Sequence, residues 1–372
     1  MLKKYYYLLF VPCLFVLITS FKAGAPTTYI TLQNQALKII PKEFYIAAVE
    51  DGRSNNTSIG TLSAIASVTN APGKPGVYNI DLKGGIAAIK NFVAYTLPVD
   101  KTLRPVIIKL NELKVTELPA GTGAVKGDIK LMASFYLQKG DDAVHLADYR
   151  TTTSYQRKAG AAQQIEPLIR SALSNCITYL NTWMDAQAAG NIKLAKSFKI
   201  KFVDHKEPNE GDTIYYDKNR PLKWDDFRGR RGTNSKYGAE IFAGLGYDED
   251  LKVENSTVYM TFTLKVYVPK SACWVDAVAK NGYSLNHEQR HFDIAKLVAE
   301  HYKQKILNEK PTPDTYDAVI SMEYLEALRE MNKLQKQYDS ETAHGADTYR
   351  QNLWNAKIED ELVQFGIKNK AS

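Results

Sequence analysis

The sequence predicts an α+β protein built in two parts. An N-terminal α+β module over about residues 27–200 precedes a C-terminal domain over 210–368, which has a small antiparallel sheet and then helices. Three observations carry that expectation. The 372 residues are enough for two separate cores. Short runs of branched and aromatic residues, bounded by turn formers, recur through the first half. Further on, one strictly alternating strand is followed by three stretches of helical spacing.

Composition narrows the class. Hydrophobic residues make up 44% and charged residues 24%, a balance that permits buried cores. The formal net charge is +7, and three of those charges are Lys3, Lys4 and Lys22, in an opening of 25 residues that holds no acid. The charge left for the rest, about +4, is too small for a nucleic-acid footprint, and no basic stripe is interleaved with aromatics.

The opening has the form of an export signal. Lys3 and Lys4 precede the apolar run "YYYLLFVPCLFVLITSF", a positive n-region followed by an h-region. The run is as long as the shortest membrane-spanning helices, so an uncleaved N-terminal anchor is the one membrane attachment the chain offers. Ala23-Gly24-Ala25 fits the small-x-small cleavage rule, although Pro26 after the cut disfavours cleavage. Cys13 lies inside the apolar run and not behind a lipobox. The expected location is therefore periplasmic, cell-envelope or secreted. Export would permit a disulfide between Cys176 and Cys273. Cys176 sits on the apolar stripe Ile169, Leu173, Cys176, Leu180, Trp183 of a helix, so a buried free thiol is preferred. Neither cysteine has C-x-x-C spacing, which argues against a thiolate zinc site.

In the first module, "FYIAAV", "RPVIIKLNELKV" and "IKLMASFYL" read as strands, and "AAIKNFVAYTL" and "IEPLIRSALSNCITYLNTWM" as helices. "VEDGRSNNTSIG" followed by "RPVIIKL" resembles the opening of bacterial auxiliary lipoprotein domains; in the binding-module reading, residues 27–200 dock to an envelope partner. No residue there forms a catalytic pattern, and His145 is isolated. A boundary is expected at the polar stretch "DHKEPNEGDTIYY".

The second domain opens on "LKWDDFRGRRG" and "AEIFAGLGY". In "STVYMTFTLKVYVP", Val258, Met260, Phe262, Leu264, Val266 and Val268 share one face and polar residues or tyrosines the other, as in a half-buried strand. Its end near Val268 is expected to offer an edge to an extended substrate. Helices follow over about 284–308, 315–337 and 346–366.

The first of these helices carries "NHEQRHFDIA". Residues four apart stack on one helix face about 6 Å apart. His287 and His291 can therefore aim imidazole nitrogens at one zinc ion, and Glu288 can act as the general base that moves a proton from water to a leaving amine. This is the H-E-x-x-H logic of metallopeptidases, and it makes the domain zincin-like. Asn286 is the expected helix cap. Trp224, Asp226, Phe227 and Gly229, then His287 to Ala295, then Tyr338, Asp339, Thr342, His344 and Gly345, with Trp354 and Asn355 beyond, together resemble a bacterial family of predicted secreted zinc-dependent proteases. The resemblance covers roughly residues 215–366 and implies zinc.

A catalytic zinc takes three protein ligands. His301 is ten residues past His291, about 15 Å along the axis and out of reach. The compact H-E-x-x-H-x-x-G-x-x-H spacing would need a histidine where Leu297 stands. Glu309 lies at a proline-broken helix end. His344, in a loop between two helices with Gly345 after it, is the preferred third ligand, with Asp339 and Glu341 as lesser candidates and Asp339 read as a turn or cap residue. Asp293 is read as an orienter of a ligand or a surface ion pair, Trp224 and Trp354 as core anchors, Tyr338 as core or an oxyanion donor, and Arg228, Arg230 and Arg231 as a solvated loop.

The expected function is an exported zinc metallopeptidase acting on a peptide or protein substrate, with Glu288 as base. The competing expectations are a zinc amidase acting on cell-wall peptides, and a non-catalytic envelope binding or assembly module with a structural or vestigial zinc.

Overall fold

In a computed structural model of the chain, the structure describes residues 27–63, 77–121, 123–158, 161–207, 210–231 and 236–369. The expected signal or anchor over residues 1–25, with Cys13, lies outside the described residues. The fold is α+β, and the chain divides into two units between Asp185 and Ala186.

The first unit runs β1 (Thr27–Ile30), β2 (Phe44–Asp51), β3 (Gly60–Ser63), β4 (Val77–Leu82), α1 (Ile86–Thr96), β5 (Arg104–Pro119), β6 (Ala124–Lys139), β7 (Asp142–Lys158) and α2 (Ile165–Gln187). Its mixed sheet has the order β1-β4-β3-β5-β6-β7, with β2 pairing in parallel on β5. β5 buries Val106, Ile108 and Leu110, then Leu113 and Val115. The change of parity comes from a bulge: Leu110 faces Ala133 and Glu112 faces Met132, leaving Asn111 extra. α1 through Ile89 and Val93, and α2 through Leu173, Cys176 and Ile177, meet Val49, Ile108, Leu110, Leu131 and Ala133 around one small void. Cys176 is free and buried, and burial pushes its thiol up to about 12. His145 pairs on the surface with Asp148 at 2.9 Å.

The second unit contains β8 (Ser197–Asp204), β9 (Thr213–Tyr215), β10 (Ala239–Glu240), β11 (Gly244–Glu254), β12 (Thr257–Pro269), β13 (Trp274–Val275), α3 (Gly282–Glu309), α4 (Tyr316–Thr342) and α5 (Thr348–Gln364). β12 pairs with β11 along one side and with β8 and β9 along the other. Two expectations change here. β8 pairs in parallel with β12, so the stretch before the polar boundary belongs to this unit and not to the first. β12 is a central strand, so its end near Val268 presents no free edge. Its six inward residues, Val258 to Val268, are all buried.

α3 is the pivot of the unit. Phe292, Ala295, Val298, Ala299, Tyr302 and Ile306 pack with the β12 face and with Ile320 and Ala327 of α4. Ile294 and Leu297, on another face, pack with Trp354, Ile358 and Leu362 of α5 and with Tyr338. A helix covered on so many sides is held rigidly. Its cap is Asn281, whose side chain accepts from Ser284 N–H, one turn before the expected Asn286. α4 runs past the expected end at 337 to Thr342, and Ala343, His344 and Gly345 then reverse the chain at positive φ. Asp347 caps α5 by accepting from Arg350 N–H.

Candidate metal centre

α3 brings His287 and His291 onto one face with ring centroids 5.0 Å apart and planes at 87°. The added turn of α4 brings a third group. Asp339 Oδ1 lies 3.3 Å from His287 Nε2 and 3.0 Å from His291 Nε2. Donor atoms of His287, His291 and Asp339 all fall within 4.8 Å of one another.

Hydrogen bonds define which nitrogen of each ring is available. Gln335 Nε2 donates to the backbone carbonyl of His291 at 2.9 Å, so its Oε1 faces His291 Nδ1, which must carry the proton. For His287 the chain of reasoning is longer. Arg290 Nε, which can only donate, bonds Asn355 Oδ1 at 3.1 Å. Gln351 Nε2 donates to that same oxygen at 3.0 Å and to Tyr338 Oη at 2.6 Å. Gln351 Oε1 is thereby left to accept from His287 Nδ1 at 2.9 Å. Each Nε2 faces Asp339 Oδ1: protonated, it donates to the carboxylate, and deprotonated, it offers a lone pair to a metal. Two imidazole nitrogens and a carboxylate at this spacing could hold a metal ion, and the donor set is one that zinc takes.

Burial alone would raise the Asp339 carboxyl, but hydrogen bonds from both imidazoles hold it well below the usual carboxylate range. Burial works against a charged His291, yet the Asp339 carboxylate raises its pKa on balance. Glu288 is 5% exposed and, among the described residues, receives no hydrogen bond. Burial pushes its pKa up, with the two histidines opposing. It shares a cleft of about 600 Å³ with His287, His291, Asp339, His344 and Gln335.

Sequence reasoning preferred His344 as the third ligand, with Asp339 a lesser candidate; the donor atoms that lie together are those of His287, His291 and Asp339. The reason is the length of α4: as a helical residue in the last turn, Asp339 faces α3, whereas His344 follows the helix end. His344 Nδ1 lies 3.5 Å from Asp339 Oδ1, with its side chain 40% exposed and its ring against Tyr237. Gly345 has φ +80, and a Cβ there would come within 3.3 Å of the His287 ring. Glu309 is exposed at the far end of α3.

Tyr338 is fully buried behind the histidines, stacked on His287 at 4.7 Å, and its hydroxyl donates to the His287 carbonyl; it is no oxyanion donor. Asp293 is neither a surface ion pair nor in contact with a ligand. It is fully buried and accepts from Tyr216, Gln289 and Arg290. Trp354 is a core residue, its Nε1 donating to Glu341. Gly229 allows the "DDFRG" turn to close: its N–H donates to Cys273 O at 2.7 Å, and a Cβ would fall 2.6 Å from Ser271 O. Gln335 and Gln351 went unnoticed in the sequence, where nothing distinguishes a glutamine on a helix that orients a ligand from one in water.

Residues 256–345 match the model of a family described as "Bacterial protein of unknown function (DUF922)". That span takes in β12, both histidines, Glu288, Asp339 and His344. No curated protein matches the chain. Two solved structures are similar to parts of it. One is a protein of family DUF330 from Xanthomonas campestris, 14% identical, with 44% of this chain and 98% of that one covered and a TM-score of 0.27. The other is a minor lipoprotein from Acinetobacter baumannii, 12% identical, covering 27% and 77%, with a TM-score of 0.18.

Proposed function

We propose that the second unit is a zinc-dependent hydrolase of peptide bonds, with His287, His291 and Asp339 as metal ligands and Glu288 as general base. The observation that carries this reading is the convergence of two imidazole nitrogens and a carboxylate beside a buried, unpartnered glutamate in an open cleft. Zinc would supply Lewis acidity, lowering the pKa of water to about 7 and polarising a carbonyl. The protein's own contribution is orientation and proton handling. Gln351 and Gln335 hold the imidazoles in one tautomer. Glu288, with its pKa raised, takes a proton from water and returns it to the departing amine. A broad peptide screen on wild type and Glu288→Gln tests this: wild type cleaves, and the variant keeps its zinc and does not. A variant that loses the metal would mean that Glu288 is a ligand and not a base.

A second reading has its own support in His344. Were its Nδ1 to join the trio, four protein groups would close the site and the zinc would be structural. Removing His344 then costs metal affinity heavily, whereas in the hydrolase reading it costs little.

Export completes the proposal. It is supported by Lys3, Lys4 and the apolar run that follows. No helix among the described residues is long and apolar enough to cross a membrane. Cell fractionation that found the protein in the cytoplasm with Met1 retained would refute export.

A further inference from the structure

We propose that the cleft takes its substrate as an extended polypeptide, bound by backbone pairing along the open edge of β10 and the residues after it. The inference rests on the hydrolase reading and names the substrate class. β10 has one ladder partner, β13, with Ala239 opposite Val275 and Glu240 opposite Trp274. Asp276 N–H donates to Gly238 O at 2.7 Å, and Phe242 N–H reaches Cys273 Sγ at 3.4 Å. In an extended chain, successive backbone polar groups point to opposite sides. Residues 238, 240 and 242 therefore turn theirs toward β13, and Ala239 and Ile241 turn theirs away. Among the described residues, nothing pairs with the backbone N–H and C=O of Ala239 and Ile241.

The run Gly238–Ala243 lines the same cleft as His287, Glu288, His291 and Asp339. An unpaired strand edge is a template for another chain. Here the template stands beside the groups that would cut what it holds. Ala239 and Ile241 are two residues apart, the spacing at which an added strand forms successive hydrogen-bonded pairs. Phe242 and Tyr283, also in the cleft lining, are 60% and 39% exposed and offer apolar surface to side chains of the guest. The charged lining is mainly acidic, Glu240, Glu288 and Asp339 against Lys236, which disfavours an anionic polymer.

The test reads binding without turnover, on the zinc-loaded full chain carrying Glu288→Gln. An immobilised library of random decapeptides is screened, and the best binder is remade with one backbone N-methyl group at each position in turn. We expect selected peptides rich in Phe, Tyr and Leu, and an affinity loss of about tenfold at alternate positions only, one hydrogen bond at a time. Ile241→Pro removes an outward N–H without touching the β10–β13 ladder. It should weaken binding about tenfold and erase the effect of one N-methyl position, with zinc content and melting temperature kept. Ala239→Pro provides the same test should Ile241→Pro fail to fold. A library without binders, or N-methyl effects without the two-residue period, overturns the proposal. If the period holds while wild type cleaves nothing, the edge stands and the hydrolase reading falls; hydrolysis without the period is the reverse result.

Discussion

Replacing Gln351 with methionine separates metal orientation from packing. Gln351 is fully buried, and methionine has nearly its volume and none of its hydrogen bonds. Three bonds vanish: the acceptor for His287 Nδ1, and the donors to Tyr338 Oη and Asn355 Oδ1. Asn355 keeps Arg290, and Tyr338 still donates to the His287 carbonyl, so the one group left stranded is His287 Nδ1–H. A buried donor without a partner costs about 1–3 kcal/mol of stability. The ring also loses its preferred tautomer and its hold on orientation. Loss of such a partner weakens metal binding by roughly 10–100-fold, about 1.4–2.7 kcal/mol. Competition against a chromogenic chelator measures the affinity, and melting of the zinc-free protein measures the stability. Gln335→Met should act alike through His291. If Gln351→Met melts lower but binds zinc as tightly as wild type, Gln351 serves packing alone and the tautomer argument fails.

Stability should change with pH in opposite directions with and without zinc. The zinc-free protein holds His291 with its pKa raised above 6.5, so that stabilisation is full below 6.5 and is lost as pH rises through the folded value. Its melting temperature should therefore fall as pH rises above about 6.5, and that of the zinc-loaded protein should rise, because the metal needs deprotonated imidazoles; calorimetry at several pH values that gives the same slope for both would refute this. Gly345→Ala forces a left-handed residue, costing about 1–2 kcal/mol, and presses a methyl on His287; zinc titration should show weaker binding, and unchanged affinity would mean that the loop gives way freely. In the first unit, Glu117 accepts two of the three Arg157 hydrogen bonds, as well as those of Tyr155 Oη–H and Ser63 N–H, in a buried site. Glu117→Ala strands a buried guanidinium and should cost about 3–5 kcal/mol in denaturant unfolding, with less than about 1 kcal/mol marking the pair as unimportant.

What was legible in the sequence was local. β12 declares itself through strict alternation, and the histidine pair through a four-residue spacing on one helix, because each pattern repeats within a single element. The boundaries and partners were harder. Asp339 lies 48 residues beyond His291, and an acid near a helix end reads as a cap or turn; only the full course of α4 to Thr342 shows that it faces α3. β8 stands next to the first unit in sequence but pairs with β12, a parallel partner some 60 residues on, and no local pattern records which strand a strand will meet. The same ignorance of neighbours made β12 look like an edge. The glutamines that set the histidine tautomers were invisible for a related reason: their role lies in tertiary hydrogen bonds, not in any periodicity.

The central claim is the identity of the three ligands, and anomalous scattering at the zinc edge from crystals of the zinc-loaded protein tests it most directly. One peak per chain is expected, at about 2.0–2.2 Å from His287 Nε2, His291 Nε2 and an Asp339 oxygen, with Glu288 beside it and not bound. A peak ligated by His344 in place of Asp339, or no peak between the two histidines, would contradict it.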